Sequence, residues 1–166
     1  MNHFELFAIK QKYDIDQKLL QKQYFALQTK HHPDRSKNEL DRRKNLEYSM
    51  LINEAFKVLQ DDYLRAEYLL NIKGEHIDDN KLKSLLSHNQ LEEILENYEL
   101  IESTQDLSQL NKIQQDKIGD CQKLVCKITQ AFKENNLKQA LDLTVSLKYL
   151  TNLVGNIKLK IKNANN

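Results

Sequence analysis

Residues 28–38, QTKHHPDRSKN, bring two imidazoles, a carboxylate and a guanidinium within five positions: His31, His32, Asp34 and Arg35. An imidazole beside a carboxylate can move a proton or help hold a metal ion. Pro33, the single proline in 166 residues, stands between them. Proline fixes its own φ and pushes the preceding residue out of the helical region, which keeps the flanking backbone extended. No second group of bases or ligands converges on this loop in sequence. The other histidines, His3, His76 and His88, are isolated, and the carboxylates are scattered along helical segments. Cys121 and Cys126 sit at i, i+5, about 140° apart on a helix, so they cannot bridge one another there. They read as small core or boundary residues in a reducing compartment. No phosphate-cradling glycine loop, zinc-ligand spacing or nucleophile motif occurs. The residues predict a protein that is not an enzyme and holds neither a cofactor nor a metal.

The elements that must present this loop are helical. Gly (3) and Pro (1) are scarce, while 40% of residues are hydrophobic and 30% charged. Long helices joined by few turns suit such a composition, and the expected class is all-α. With 25 basic and 24 acidic residues the formal net charge is +1, which argues against a wholesale nucleic-acid or acidic-membrane binder. The opening MNHFELFAIK lacks a basic region followed by an apolar run, and no segment approaches the roughly 20 apolar residues of a membrane span. A cytoplasmic protein is expected.

Residues 3–9 read as a short apolar turn or helix, and Asp16 as the N-cap of a helix over 17–31. In that helix Leu20, Tyr24 and Leu27 recur at i, i+4, i+7 and define one face. Lys18, Lys22, Ala26 and Lys30 step by four along another face as a basic stripe. Pro33 ends the helix. A third helix over about 39–60 has Leu46, Leu51, Ile52, Ala55, Phe56 and Leu59 as its apolar side, and helices flanking a short loop pack as an antiparallel hairpin. A shorter helix stops at Gly74, a suitable C′ residue. The polar stretch GEHIDDN marks a boundary. Beyond it come a helix over about 80–102 broken near SHN, and two long helices over about 107–135 and 137–162 closed by ENN. They predict a three-helix bundle of normal domain size, ending in a frayed NANN tail.

The His32-Pro33-Asp34 loop lies between an amphipathic helix with Tyr24 and Leu27 inward and a long helix containing NEAFKVLQD, followed by RAEY. This arrangement resembles the J domain, through which co-chaperones engage DnaK-type chaperones. The resemblance covers residues 1 to about 74 and includes Leu20, Tyr24, Leu27, Ala55, Phe56, Leu59, Asp61, Arg65 and Tyr68. Arg35 stands where many J domains carry lysine, which keeps the charge. The resemblance implies that His32, Pro33 and Asp34 make the essential chaperone contact. Lys18, Lys22, Lys30, Arg35 and Lys37 form a basic surface suited to an acidic partner.

No Gly/Phe-rich linker or zinc-ribbon cysteine pattern follows. Instead, NHFELF at the start and RAEYLLNIKG before a small helical domain are similar to the HscB family, the J-type co-chaperones of iron–sulfur cluster assembly. That resemblance spans nearly the whole chain. It implies a J domain over 1–74, a linker over 75–79 and a C-terminal domain over 80–166. The J domain would stimulate the ATPase of an HscA/DnaK-type chaperone. The C-terminal domain would hold the cluster scaffold protein IscU. LEEILENYEL resembles the family's scaffold-binding helix, with Leu91, Leu95, Glu96 and Glu99 on or near one face. Tyr149 matches an aromatic position of the family, and Glu92 occupies a position usually apolar. Two alternatives are a general J-domain co-chaperone with another client-binding domain and a helical nucleic-acid binder using Lys18, Lys22 and Lys30. The second lacks aromatic residues interleaved with basic ones.

Overall fold

The computed structural model of the chain describes residues 1–32, 34, 36, 38–77, 81 and 84–164. Pro33, Arg35 and Lys37, the linker positions Asp78 and Asp79, Asn80, and the last two tail residues lie outside the described residues. The described residues contain no strand. Their helices are α1 (His3–Leu6), α2 (Gln17–Lys30), α3 (Glu39–Gln60), α4 (Asp62–Ile72), α5 (His88–Ser103), α6 (Leu107–Lys133) and α7 (Leu137–Ala164). The expected all-α class is the observed one. The chain divides into two compact units, Met1–Leu69 and Leu70–Asn166.

Side chains fix the helix starts in the first unit. Asn2 and Glu5 form a reciprocal capping box on α1. The Asp16 carboxylate accepts from Lys18 N at 2.9 Å and Leu19 N at 3.0 Å, capping α2 as its sequence position implies. Asn38 caps α3 through Asp41 N at 2.9 Å. Phe4, Phe7, Tyr13, Leu20, Ile52, Ala55, Leu59, Ala66 and Leu69 form the buried interior.

Arg65 staples that interior. It is 4% exposed. Its Nε donates to Tyr13 O at 2.8 Å, its Nη1 to Leu59 O at 2.7 Å, and its Nη2 to the Asp62 carboxylate. The guanidinium also lies 4.8 Å from the Tyr13 ring centroid. A planar fork of five donors can satisfy several acceptors at once, which is how a permanent charge is tolerated here. Burial pushes the Tyr13 hydroxyl well above the ordinary phenol range, and Asp62 adds to the effect.

One expectation for α3 is corrected. Ile52, Ala55 and Leu59 are buried, but Leu46 is 52% and Leu51 37% exposed. At about 100° per residue, Leu46 lies about 120° round the helix from Ile52, outside the face that meets α2.

In the second unit, α6 and α7 form the expected hairpin. Its turn is a Schellman motif: Asn136 N donates to Ala131 O at 2.9 Å and Asn135 N to Phe132 O at 3.2 Å. Asn135 takes the left-handed position at φ 55°, which asparagine tolerates better than most residues. Gly74 plays the same part after α4 at φ +90°, the C′ role its type suggests. The break near SHN is also real. Ser87 Oγ accepts from Gln90 N at 3.3 Å while Gln90 Oε1 accepts from Ser87 N at 2.9 Å, so a new helix starts at His88. The C-terminal part of α5 is anchored by Ile101, which packs with Leu153 and Ile157. Lys160 Nζ donates to the carbonyls of Ile101 and Glu102 at 2.6 and 2.8 Å, closing the helix end.

Candidate functional site

Cross-helix contacts set the geometry of the α2–α3 hairpin. Tyr24 stacks on Phe56 (centroids 4.1 Å), Gln28 meets Ser49, and His31 stacks on Tyr48 (4.7 Å). These partners run in opposite directions along the chain, so the helices are antiparallel, and His32, Asp34 and Ser36 lie at the tip. There His32 is 55% and Asp34 88% exposed at the side chain. Asp34 N lies 3.3 Å from His32 Nδ1, and the Asp34 carboxylate 3.5 Å from the same nitrogen. With Nδ1 unprotonated, the imidazole accepts the backbone N–H. With Nδ1 protonated, it pairs with the carboxylate. Either form ties the two residues into one polar unit facing solvent.

A polar ladder behind the tip escaped the sequence reading. Asn45 Oδ1 lies 3.4 Å from His31 Nδ1, while Asn45 Nδ2 donates to Ser36 Oγ at 3.0 Å. One α3 side chain thus meets residues on both sides of the loop. Ser49 Oγ donates to Gln28 Oε1 at 3.0 Å, and Asn53 Oδ1 accepts from Gln28 Nε2 at 2.6 Å and Tyr24 Oη at 2.9 Å. The signal was the spacing of Asn45, Ser49 and Asn53 at i, i+4, i+8. Such a stripe ordinarily marks a solvated face.

Lys18, Lys22 and Lys30 are exposed. Helix α2, QKLLQKQYFALQTK, contains no carboxylate, and among the described residues no ion pair engages these lysines. Pro33 and Arg35, expected beside them, lie outside the described residues.

Helix α5 carries the opposite charge. HNQLEEILENYELIES holds five glutamates and no Lys or Arg. Leu91 is 42% and Leu95 63% exposed, so neither belongs to the bundle core. Glu92, Glu96 and Glu99 are exposed on the same side of the helix. Glu92 also meets His88 Nε2 at 3.1 Å. Tyr149 is placed differently. It is half-buried on α7 and lines a cleft of about 320 Å³ together with Gln90, Glu93, Ile94 and Leu150. Neither Leu91 nor Leu95 lines that cleft. The structure therefore groups Leu91, Leu95, Glu96 and Glu99, and sets Tyr149 on the other flank of α5.

Among the described residues no three His, Cys, Asp or Glu side chains form a metal-binding group, and no helix is long and apolar enough to cross a membrane.

Two family models match the chain: a DnaJ domain over residues 2–68 and an HSCB C-terminal oligomerisation domain over 86–158. The "Co-chaperone protein HscB homolog" of Shewanella woodyi is 32% identical over 161 residues, 92% of each chain. The chain belongs to the HscB family of J-domain co-chaperones. A second HscB homolog, from Shewanella halifaxensis, is 43% identical over 76 residues, a match spanning 45% of this chain and 44% of that protein. The crystal structure of human HscB shares the fold with a TM-score of 0.89 at 23% identity, over 96% of this chain and 82% of that one. HscB proteins form a co-chaperone family, not a catalytic one. The DnaJ-domain match takes in α1 to α3 and most of α4, with the His32–Asp34 tip between α2 and α3. The C-terminal match takes in α5, α6 and most of α7.

Proposed function

We propose that this chain stimulates the ATPase of an HscA/DnaK-type chaperone through the α2–α3 tip and delivers the iron–sulfur scaffold protein IscU to it through α5, in the cytoplasm. The domains are 1–74 for the J domain, 75–79 for the linker and 80–166 for scaffold binding. The supporting observation is the tip itself: His32 and Asp34 exposed and mutually bonded, beside a lysine face without carboxylates. His32, Pro33 and Asp34 make the essential contact, with Lys18, Lys22, Lys30 and Arg35 attracting an acidic partner surface. Leu91, Leu95, Glu96 and Glu99 receive the scaffold on an apolar strip edged with negative charge, and Tyr149 offers it a separate contact on the cleft side of α5. No chemistry occurs on this chain. It acts by binding one conformational state of the chaperone more tightly than another, the only way a ligand shifts such an equilibrium.

The test is the steady-state ATPase rate of an HscA-type chaperone titrated with the full-length chain, alone and with IscU. Saturable stimulation that IscU augments is expected. An unchanged rate at saturating chain, with IscU present, would overturn the reading.

A further inference from the structure

Of the chain's twelve Phe and Tyr rings, Phe25 is the most exposed, at 58%. It lies on α2, with Lys18 at i−7, Lys22 at i−3 and Thr29 at i+4, so it borders the lysine stripe. Its ring does not hang free. It meets Tyr24 edge to face at 5.4 Å, Tyr24 stacks on Phe56 at 4.1 Å, and Phe56 meets Phe7, which is 0% exposed, at 6.5 Å. Tyr24 is further fixed by its hydroxyl, which donates to Asn53. A line of rings therefore runs from the core to the surface and ends on Phe25. Exposed apolar surface continues on α3. Leu46 and Met50, 52% and 64% exposed, each sit three residues before a member of the polar ladder, Ser49 and Asn53.

We infer that Phe25 is an apolar anchor for the chaperone, inserting into a notch on the acidic surface that Lys18, Lys22 and Lys30 engage. This rests on the proposed J-domain role of α2. A ring already held by its neighbours loses little freedom when it docks, and aromatic side chains surrounded by charge dominate many interfaces. The charges select the occupant. Helix α2 carries three lysines and no carboxylate, so the same face of a second copy repels it and a negative surface attracts it. Lysines alone give attraction that salt screens. Phe25 supplies affinity that salt does not remove.

The experiment titrates HscA-type chaperone ATPase with wild type, Phe25→Ala, Phe25→Leu and, as a control exposed residue elsewhere, Leu159→Ala, at low and high salt. Phe25→Ala is expected to raise the half-maximal concentration about tenfold, equivalent to about 1.4 kcal/mol, with maximal stimulation kept. The deficit persists at high salt, Phe25→Leu recovers part of it, and Leu159→Ala matches wild type. Equal half-maximal concentrations for Phe25→Ala and wild type would overturn the inference while leaving the tip's role intact. So would loss of wild-type self-association in Phe25→Ala by sedimentation velocity, which would make a second copy the occupant. If His32→Gln in the same series stimulates like wild type, the J-domain reading itself fails, separately from Phe25.

Discussion

His32 and Asp34, the proposed chaperone contact, draw little from the rest of the fold: exposure, contact with each other and a hairpin tip behind them. Neither is buried, so His32→Gln and Asp34→Asn should leave the thermal midpoint within about 1 °C, as surface substitutions usually do, while stimulation of the chaperone falls to background. Arg65 is the reverse case. Arg65→Met removes the side-chain donors to the Tyr13 and Leu59 carbonyls and leaves Asp62 without its partner, so urea denaturation should show about 2 kcal/mol lost. His3 gives a pH signature. Burial holds its imidazole below the ordinary 6.5, with Glu54 opposing in part. The unfolded chain then binds more protons as pH drops below about 6.5, so this stability is complete above that value and declines toward the lower folded pKa. The melting temperature should fall more steeply from about pH 7.5 to 5.5 in wild type than in His3→Gln. Of these residues the sequence marked His32 and Asp34, because the lone proline singles out their loop. It named Arg65 only through family resemblance, since burial of an arginine leaves no periodic trace. His3 was passed over as isolated, and only the fold brings Tyr68 against it at 4.2 Å.

At the scale of elements, the helices were legible where local chemistry decides them: Asp16 as a cap, Gly74 in a left-handed turn, a helix break near SHN. The face of α3 was only half legible. Leu46 was counted into the core because leucine usually is, whereas Asn45, Ser49 and Asn53 in fact meet α2. Short polar side chains can line an interhelical seam when each finds a partner, and pairing cannot be read from one helix alone. Asn45→Ala removes the bonds to His31 and Ser36 and should cost about 1 kcal/mol in denaturation. It should also raise the concentration of chain needed for half-maximal stimulation, because the tip loses its tether. On α5, Leu91 and Leu95 are exposed, so changing both to Ala should leave the bundle folded by circular dichroism. Calorimetric titration with IscU should weaken at least about tenfold, from the loss of two apolar contacts. Tyr149 was matched by type to an aromatic position, and its place on the cleft side of α5 was not visible from spacing within one helix.

Across the whole molecule, a formal net charge of +1 conceals two strongly charged helices, α2 with three lysines and no acid, α5 with five glutamates and no Lys or Arg. Bulk charge says nothing of this separation. The proposed function assigns these oppositely charged helices, one in each unit, to an acidic and a basic partner respectively. Both associations should weaken with added salt, since exposed charges are screened. The central claim is that these faces couple two partners, and chaperone ATPase measured with the full-length chain across an IscU titration tests it most directly. Wild type should show stimulation that IscU augments, the Leu91→Ala/Leu95→Ala variant should lose the augmentation, and Asp34→Asn should lose all stimulation. An Asp34→Asn chain that stimulated as well as wild type would contradict the account.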